Sequence, residues 1–352
     1  MIEGPIRVLV VDDSAVVRGL LTKALSADPD IVVAGSAHNG RAGLEWLRAN
    51  VAEVVVLDVE MPVLGGLETL QQLRVEFPKV AVVMASSLTV RGGEITLRAL
   101  SLGAAGCIAK PQTPSMQESI QQVVRELVPL VRALGRKPAA RPPSRHVLRP
   151  KTSSPKGPPR LVVVGTSTGG PNALLAVLPA LPADFKLPIL IVQHMPPTFT
   201  PILARHIEQA TGRPCHEGIE GEQVKPGTTY VAPGGFHMML AAQEDELTIR
   251  LNQNPPECFC RPSVNPLFRS AAEACGRELL SVILTGMGED GLEGSRKIVD
   301  AGGHLIAQDE GTSVVWGMPG AVVHAGLAHE VLPLPQIASA IARYCMQGAS
   351  VR

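Results

Sequence analysis

Residues 161–171 read Leu161-Val162-Val163-Val164-Gly165-Thr166-Ser167-Thr168-Gly169-Gly170-Pro171. A valine-rich run ends in a glycine-rich turn, and a proline then opens an apolar stretch. Valines suit a buried strand, glycines permit a tight reversal, and proline suits the first turn of a helix. The segment therefore predicts strand, turn and helix, the unit from which α/β sheets are assembled. Ser167 falls on the turn, within a G-x-S-x-G spacing that sets a serine hydroxyl beside the free N–H groups of a helix N-terminus. Taken alone, such a turn could equally cradle a phosphate or dinucleotide, although neither G-x-G-x-x-G nor a G-K-[ST] lysine is present.

Outward from this segment, strand-like runs recur at Leu187 to Val192, Leu279 to Leu284 and His304 to Ala307, separated by helical patterns. This alternation predicts a doubly wound, mainly parallel α/β domain. Between Glu217 and Leu251 the turn signals Lys225-Pro226-Gly227 and Pro233-Gly234-Gly235 suggest a hairpin inserted among the parallel units. A serine nucleophile needs a base and an orienting acid, and two strand ends supply them. Gln193-His194-Met195-Pro196 closes one strand, and Gly286-Met287-Gly288-Glu289-Asp290-Gly291 follows another. Parallel strands put these loops on one sheet edge, so His194 is expected to take the Ser167 proton and Asp290 to orient the imidazole. The order Ser, His, Asp departs from the Ser, Asp, His order of α/β-hydrolases. His304, His324 and His329 are rival bases, and Asp290 has the alternative use of capping a helix.

The N-terminal part shows five strand-and-helix units, with strands at Val8 to Val11, Ile31 to Ala34, Val54 to Leu57, Val80 to Ala85 and Cys107 to Ala109. Strand one ends in Asp12-Asp13 and strand three in Asp58. Three carboxylates on one edge repel one another unless a hard cation joins them, and Mg²⁺ is the natural candidate. Asp58 could then attack a phosphoryl donor. Ser86 and Lys110, at the ends of strands four and five, suit a hydrogen bond and an ion pair to the phosphoryl group. Helix capping, the bland use of such residues, explains Asp13 but not all five.

The remaining features bound the function class. The 352 residues exceed one ordinary core, and 32 basic against 32 acidic residues leave no global field to attract nucleic acid or a lipid surface. From Arg132 to Arg160 there are nine basic residues, seven prolines and no acidic residue, the composition of a linker. The N-terminus has no secretory pattern, and no apolar run reaches the roughly 20 residues that span a bilayer. A cytoplasmic protein without membrane insertion is expected. Six cysteines without paired C-x-x-C spacing read as structural thiols, and Cys215-His216 or Cys258-x-Cys260 alone matches no zinc framework.

Two resemblances complete the reading. Val11-Asp12-Asp13-Ser14, Leu57-Asp58-Val59-Glu60-Met61-Pro62, Ser86 and Lys110-Pro111 resemble the signature of response-regulator receiver domains, with a flavodoxin-like (βα)5 fold. That resemblance implies Asp58 as phospho-acceptor, Mg²⁺ held by Asp12, Asp13 and Asp58, and Ser86 with Lys110 as the phospho-switch. Cys107 stands where many receivers carry an aromatic residue. The segments around Ser167, His194 and Asp290, with Gln308-Asp309-Glu310 and Gly317-Met318-Pro319, resemble the chemotaxis protein-glutamate methylesterases, the CheB family. With the proline-rich segment, the two resemblances imply a receiver domain over 1–125, a linker over 126–159 and a catalytic domain over 160–350. The second resemblance also implies a catalytic triad of Ser167, His194 and Asp290 and no cofactor for the esterase. The implied partners are methylated chemoreceptor cytoplasmic domains, with a chemotaxis histidine kinase as phosphodonor, and glutamine deamidation as a second activity. Two departures stand out. Arg261-Pro262-Ser263-Val264-Asn265 has Asn where the family usually has Asp, a carboxylate lost near the expected site rim, and Trp316 replaces a common Phe.

Overall fold

The computed structural model describes residues 4–87, 89–110, 115–135, 158–244 and 246–346. Residue contacts divide the chain into two units, Met1–Pro142 and Pro143–Arg352.

In the first unit, strands and helices alternate in the order β1 (Ile6–Val11), α1 (Ala15–Leu25), β2 (Ile31–Ala37), α2 (Gly40–Ala49) and β3 (Val54–Asp58). They continue with α3 (Gly66–Glu76), β4 (Ala81–Ser86), α4 (Val90–Ser101), β5 (Gly106–Ala109) and α5 (Met116–Gly135). The strands form one parallel sheet in the order β2-β1-β3-β4-β5. Val8 to Val11, Val54 to Leu57 and Val82 to Ala85 are buried on both faces, which explains why these strands are continuous apolar runs rather than alternating ones. The flavodoxin-like order expected from the sequence is the order observed.

The domain division differs from the expectation at one point. The linker expected from residue 126 begins inside α5, which runs to Gly135 and buries Val123, Leu127, Val131 and Leu134. Their i, i+4, i+8 and i+11 spacing gives the helix an apolar face, and that packing carries it through Pro129, which removes one helical hydrogen bond. Arg132, read as the first linker cation, pairs with Asp28 at 2.7 Å. The remainder of the proline-rich segment, 136–157, lies outside the described residues, as does Pro111.

The second unit begins with β6 (Leu161–Thr166), α6 (Gly170–Val177), β7 (Ile189–Gln193), α7 (Thr200–Thr211), β8 (Cys215–Glu217) and β9 (Thr229–Val231). A hairpin of β10 (His237–Gln243) and β11 (Glu246–Asn252) follows, then α8 (Val264–Cys275), β12 (Leu279–Ile283) and α9 (Leu292–Asp300). It ends with β13 (His304–Gln308), α10 (Met318–His324), β14 (Glu330–Leu332) and α11 (Leu334–Met346). Seven strands form a parallel sheet in the order β14-β13-β12-β6-β7-β9-β8, and β10-β11 is a separate antiparallel pair. The hairpin expected between 217 and 251 is therefore confined to the end of that stretch. Its first half supplies β9, because Tyr230 and Val231 are completely buried against the sheet. The Tyr230 hydroxyl stays satisfied there by accepting from Lys225 N at 2.9 Å.

The winding direction reverses between β6 and β12, and in doubly wound sheets that switch point is where strand-end loops leave a crevice. No helix among the described residues is long and apolar enough to cross a membrane.

The extended α5 gives a direct test. Leu127→Ala should destabilise the N-terminal unit by about 2–5 kcal/mol, the usual cost of emptying a buried leucine site. Urea unfolding followed by circular dichroism reads this; a residue in an unstructured linker would leave the midpoint unmoved.

Candidate active site

In the first unit, β1 and β3 are hydrogen-bonded neighbours, so Asp12, Asp13 and Asp58 emerge side by side. One carboxylate oxygen from each lies within 4.8 Å of the others. Lys110, following β5, places Nζ 2.8 Å from Asp12 Oδ2 and 2.7 Å from Asp58 Oδ1. Burial pushes the Asp58 carboxyl up to about 6, with the Lys110 bond opposing the rise and the Asp12 charge adding to it. Three carboxylates against one ammonium leave an excess of negative charge, and buried Asp58 Oδ2 has no hydrogen-bond partner. That donor set fits a hard divalent cation such as Mg²⁺. Among the described residues no other group of three or more His, Cys, Asp or Glu side chains converges in this way.

The capping alternative for Asp13 does not hold. Ser14 caps α1, its Oγ accepting from Val17 N at 3.4 Å, and Asp13 stays exposed beside the cluster. Arg18 pins the loop by donating to the carbonyls of Asp12 at 2.7 Å and Asp13 at 3.0 Å. Ser86 is fully buried at the end of β4, and its hydroxyl lies 3.2 Å from the carbonyl of Gly92 in the first turn of α4. Cys107 is half-buried, and desolvation together with the Glu126 charge pushes its thiol up to about 12.

In the second unit, Ser167 stands between β6 and α6. Gly169 takes the left-handed backbone at φ 78°. Gly170 is required for a different reason: a Cβ there would lie 2.0 Å from Gln193 Oε1 and 2.3 Å from Thr166 Oγ1. The elbow is tied to its neighbours by Ser167 N donating to Thr285 O at 3.1 Å and Gln193 Nε2 donating to Ser167 O at 2.9 Å. The N–H of Thr168, directly after the serine, donates to no protein acceptor among the described residues.

The histidine and aspartate are joined as the motifs predict. His194 follows β7 and Asp290 follows β12, and Nε2 and Oδ2 lie 2.7 Å apart, with only 2% of the Asp290 side chain exposed. Asp290 accepts four further bonds. Val264 N reaches Oδ2 at 2.7 Å, while Ser263 Oγ at 2.8 Å, Gly291 N at 2.8 Å and Asn265 N at 3.2 Å reach Oδ1. Burial by itself favours the neutral acid, but these bonds and the His194 partner hold the carboxyl below its usual range. Burial likewise opposes charge on the imidazole, and the Asp290 bond, with a contact to Cys260, raises the His194 pKa above the ordinary histidine value.

The rival bases lie elsewhere. His304 begins β13, at the opposite end of the strand from the site loops, and its ring packs on Tyr344 and His329 at 4.0 and 4.3 Å. His324 ends α10, its ring edge-on to Trp316 at 5.3 Å. Trp316 itself donates from Nε1 to Gln308 O at 3.0 Å.

Three features escaped the sequence reading. Asn265 is not at a rim: it is 3% exposed, and its Oδ1 accepts from Gly291 N and Gly294 N at 3.1 and 2.9 Å, capping α9. Cys260, set aside as a structural thiol, places Sγ 3.4 Å from His194 Nδ1. Ser263 and Gln193 hold the aspartate and the elbow, roles that no local pattern announces because their partners are 27 and 26 residues distant.

Residues 162–341 match the family model for CheB methylesterase, and residues 8–122 match that for the response regulator receiver domain. The protein-glutamate methylesterase/protein-glutamine glutaminase of group 2 operon from Rhodopseudomonas palustris is 45% identical, over 96% of this chain and 94% of the relative. The protein-glutamate methylesterase/protein-glutamine glutaminase of Azospirillum brasilense is 46% identical, over 98% and 94%. Among solved structures, the CheB methylesterase catalytic domain of Thermotoga maritima aligns with TM-score 0.52 and 42% identity, covering 53% of this chain and 98% of that one.

The raised His194 pKa has a sign that can be measured. A general base must be neutral to accept a proton, so a raised pKa keeps it inactive to higher pH. The acidic limb of the kcat/KM profile should therefore lie above about 6.5, the free-histidine value. Asp290→Asn should move that limb downward and lower kcat by about 10⁴-fold, the loss typical when a triad aspartate becomes an amide. A limb unmoved by this substitution would detach Asp290 from the base.

Proposed function

Because this chain belongs to the CheB methylesterase family and carries a response regulator receiver domain, we propose that it is a phosphorylation-activated protein-glutamate methylesterase acting on chemoreceptors. The observation that carries this reading is the His194–Asp290 pair, 2.7 Å apart with the aspartate buried, on the same sheet edge as the Ser167 elbow. Its substrates are γ-glutamyl methyl esters on the cytoplasmic domains of chemoreceptors, and its place of action is the cytoplasm.

The chemistry follows from the site residues. Ser167 Oγ attacks the ester carbonyl while His194 Nδ1 takes its proton, since Nε2 is committed to Asp290. Asp290, kept ionised by its hydrogen bonds, stabilises the imidazolium. The Thr168 N–H and the α6 N-terminus supply donors for the oxyanion. His194 then returns the proton to the leaving methoxide, methanol departs, and water attacks the acyl-enzyme by the same relay in reverse. A glutamine carboxamide presents the same carbonyl with ammonia as leaving group, which supports a glutaminase activity like that in the relatives' names.

In the receiver unit, Asp58 is the phospho-acceptor, with a chemotaxis histidine kinase as phosphodonor. Mg²⁺ held by Asp12, Asp13 and Asp58 would neutralise charge on the phosphoryl oxygens. Lys110 provides a cation already 2.7 Å from Asp58, and Ser86 links the site to α4 through Gly92. These contacts support a switch in which a change at Asp58 alters the α4 face.

Two substitutions test the reading. Ser167→Ala should abolish methanol release from methylated receptor while leaving the circular dichroism spectrum intact; release at the wild-type rate would rule out Ser167 as nucleophile. Asp58→Asn keeps the shape but removes the nucleophilic carboxylate, so a small phosphodonor such as acetyl phosphate should no longer stimulate methanol release. Stimulation equal to the parent's would displace Asp58 from its role.

A further inference from the structure

Cys260 lies in a turn whose conformation the proposed reaction does not by itself require. Glu257 and Cys260 exchange both backbone hydrogen bonds, with N···O 3.2 and 2.8 Å, closing a hairpin over Cys258 and Phe259. Both enclosed residues have left-handed backbone, φ 49° and 63°, a conformation that Asn and Gly adopt readily and Cys and Phe do not. Such strain persists only where the surroundings impose it. Here Arg269 clasps the Glu257 carboxylate with two bonds of 2.8 and 2.6 Å, and Arg261 donates to the carbonyls of Gln253 and Asn254. The outcome is a Phe259 side chain entirely in solvent and a Cys260 Sγ 3.4 Å from His194 Nδ1.

That nitrogen is the one the reaction needs. Asp290 is an ionised acceptor, so His194 Nε2 carries the hydrogen between them, and in the neutral base Nδ1 has only a lone pair. The Cys260 S–H then donates to Nδ1; in the imidazolium, Nδ1–H donates to Sγ. Both protonation states leave Cys260 on the nitrogen, and among the described residues no hydrogen bond joins Ser167 Oγ to His194. We propose that Cys260 is a positioning residue that holds His194 Nδ1 in the resting enzyme and has to release it to Ser167 before the nucleophile can be deprotonated. A thiol is a weak donor, so it keeps the ring aligned yet gives way to a hydroxyl.

This inference rests on the Ser167–His194 chemistry proposed above, and its test separates the two. A fluorophosphonate reacts with an activated serine: Oγ–P forms, P–F breaks, fluoride leaves and the proton passes to His194. The measurement is the rate of Ser167 labelling in the full-length protein, with the site located by peptide mass spectrometry and Ser167→Ala as the control. Cys260→Ala should label about fivefold faster than the parent, the worth of one net hydrogen bond released. Cys260→Ser, nearly isosteric and a stronger donor, should label no faster than the parent. A thiol that merely packs the turn would slow both variants or neither, so an alanine variant no faster than the parent, or a serine variant faster than it, overturns the proposal. No labelling of Ser167 in the parent removes the nucleophile reading itself, and the Cys260 role with it.

Discussion

A single buried carboxylate organises the catalytic unit. Asp290 accepts five hydrogen bonds, from His194, Ser263, Val264, Asn265 and Gly291. An ionised carboxylate this deeply buried costs several kcal/mol in lost hydration, and only a nearly complete set of donors offsets that cost. The donors come from the loop after β7, the N-terminus of α8 and the start of α9, so these elements must converge for the charge to be tolerated. Asn265 adds to the knot from the other side by capping α9, and Gly294 lets α9 approach α8, since a Cβ there would meet Phe268 Cβ at 2.5 Å. The fixed orientation of the His194 imidazole is therefore a consequence of satisfying Asp290.

The receiver unit meets the same physical problem with a different solution. Its carboxylates also emerge at strand ends, but Lys110 offsets them with only one backbone N–H each, from Ser14 to Asp12 and from Glu60 to Asp58. An ammonium neutralises only part of three negative charges and leaves Asp58 Oδ2 buried without a partner. Asp58 thus remains a group of incomplete satisfaction, with its pKa pushed up to about 6 by burial, whereas Asp290 is saturated and held ionised. One carboxylate is left incompletely satisfied and the other is held ionised. This difference suits the roles proposed for Asp58 and Asp290.

Much of both sites could be read directly from the sequence. Val162 to Val164 before Gly165, and Val54 to Leu57 before Asp58, mark strands because apolar runs bounded by turn residues are local signals. Once strands are parallel, their ends share an edge, so Ser167, His194 and Asp290 were placed together without any contact being known. The reading failed where local composition and packing disagreed. Basic residues and prolines near Arg132 resembled a linker, yet Leu127, Val131 and Leu134 had the spacing of a buried helical face. The Arg-Pro-Ser-Val-Asn string suggests a rim position for Asn265 because neither its depth nor its two N–H partners at the start of α9 is a property of that string.

What the sequence determined by itself was the α/β class and the strand-end location of each candidate chemical group. These follow from periodicity and turn chemistry, which act over a few residues. The tertiary structure alone decided the strand order β14-β13-β12-β6-β7-β9-β8 and the choice of β9 as a parallel strand rather than half of a hairpin. It also decided which nitrogen of His194 faces the acid, and that a cysteine 66 residues away occupies the other. Side chains that far apart in the chain meet only because two loops are clamped at one sheet edge, and the forces that clamp them, the buried Asp290 charge and the Arg269–Glu257 bonds, come into being with the fold.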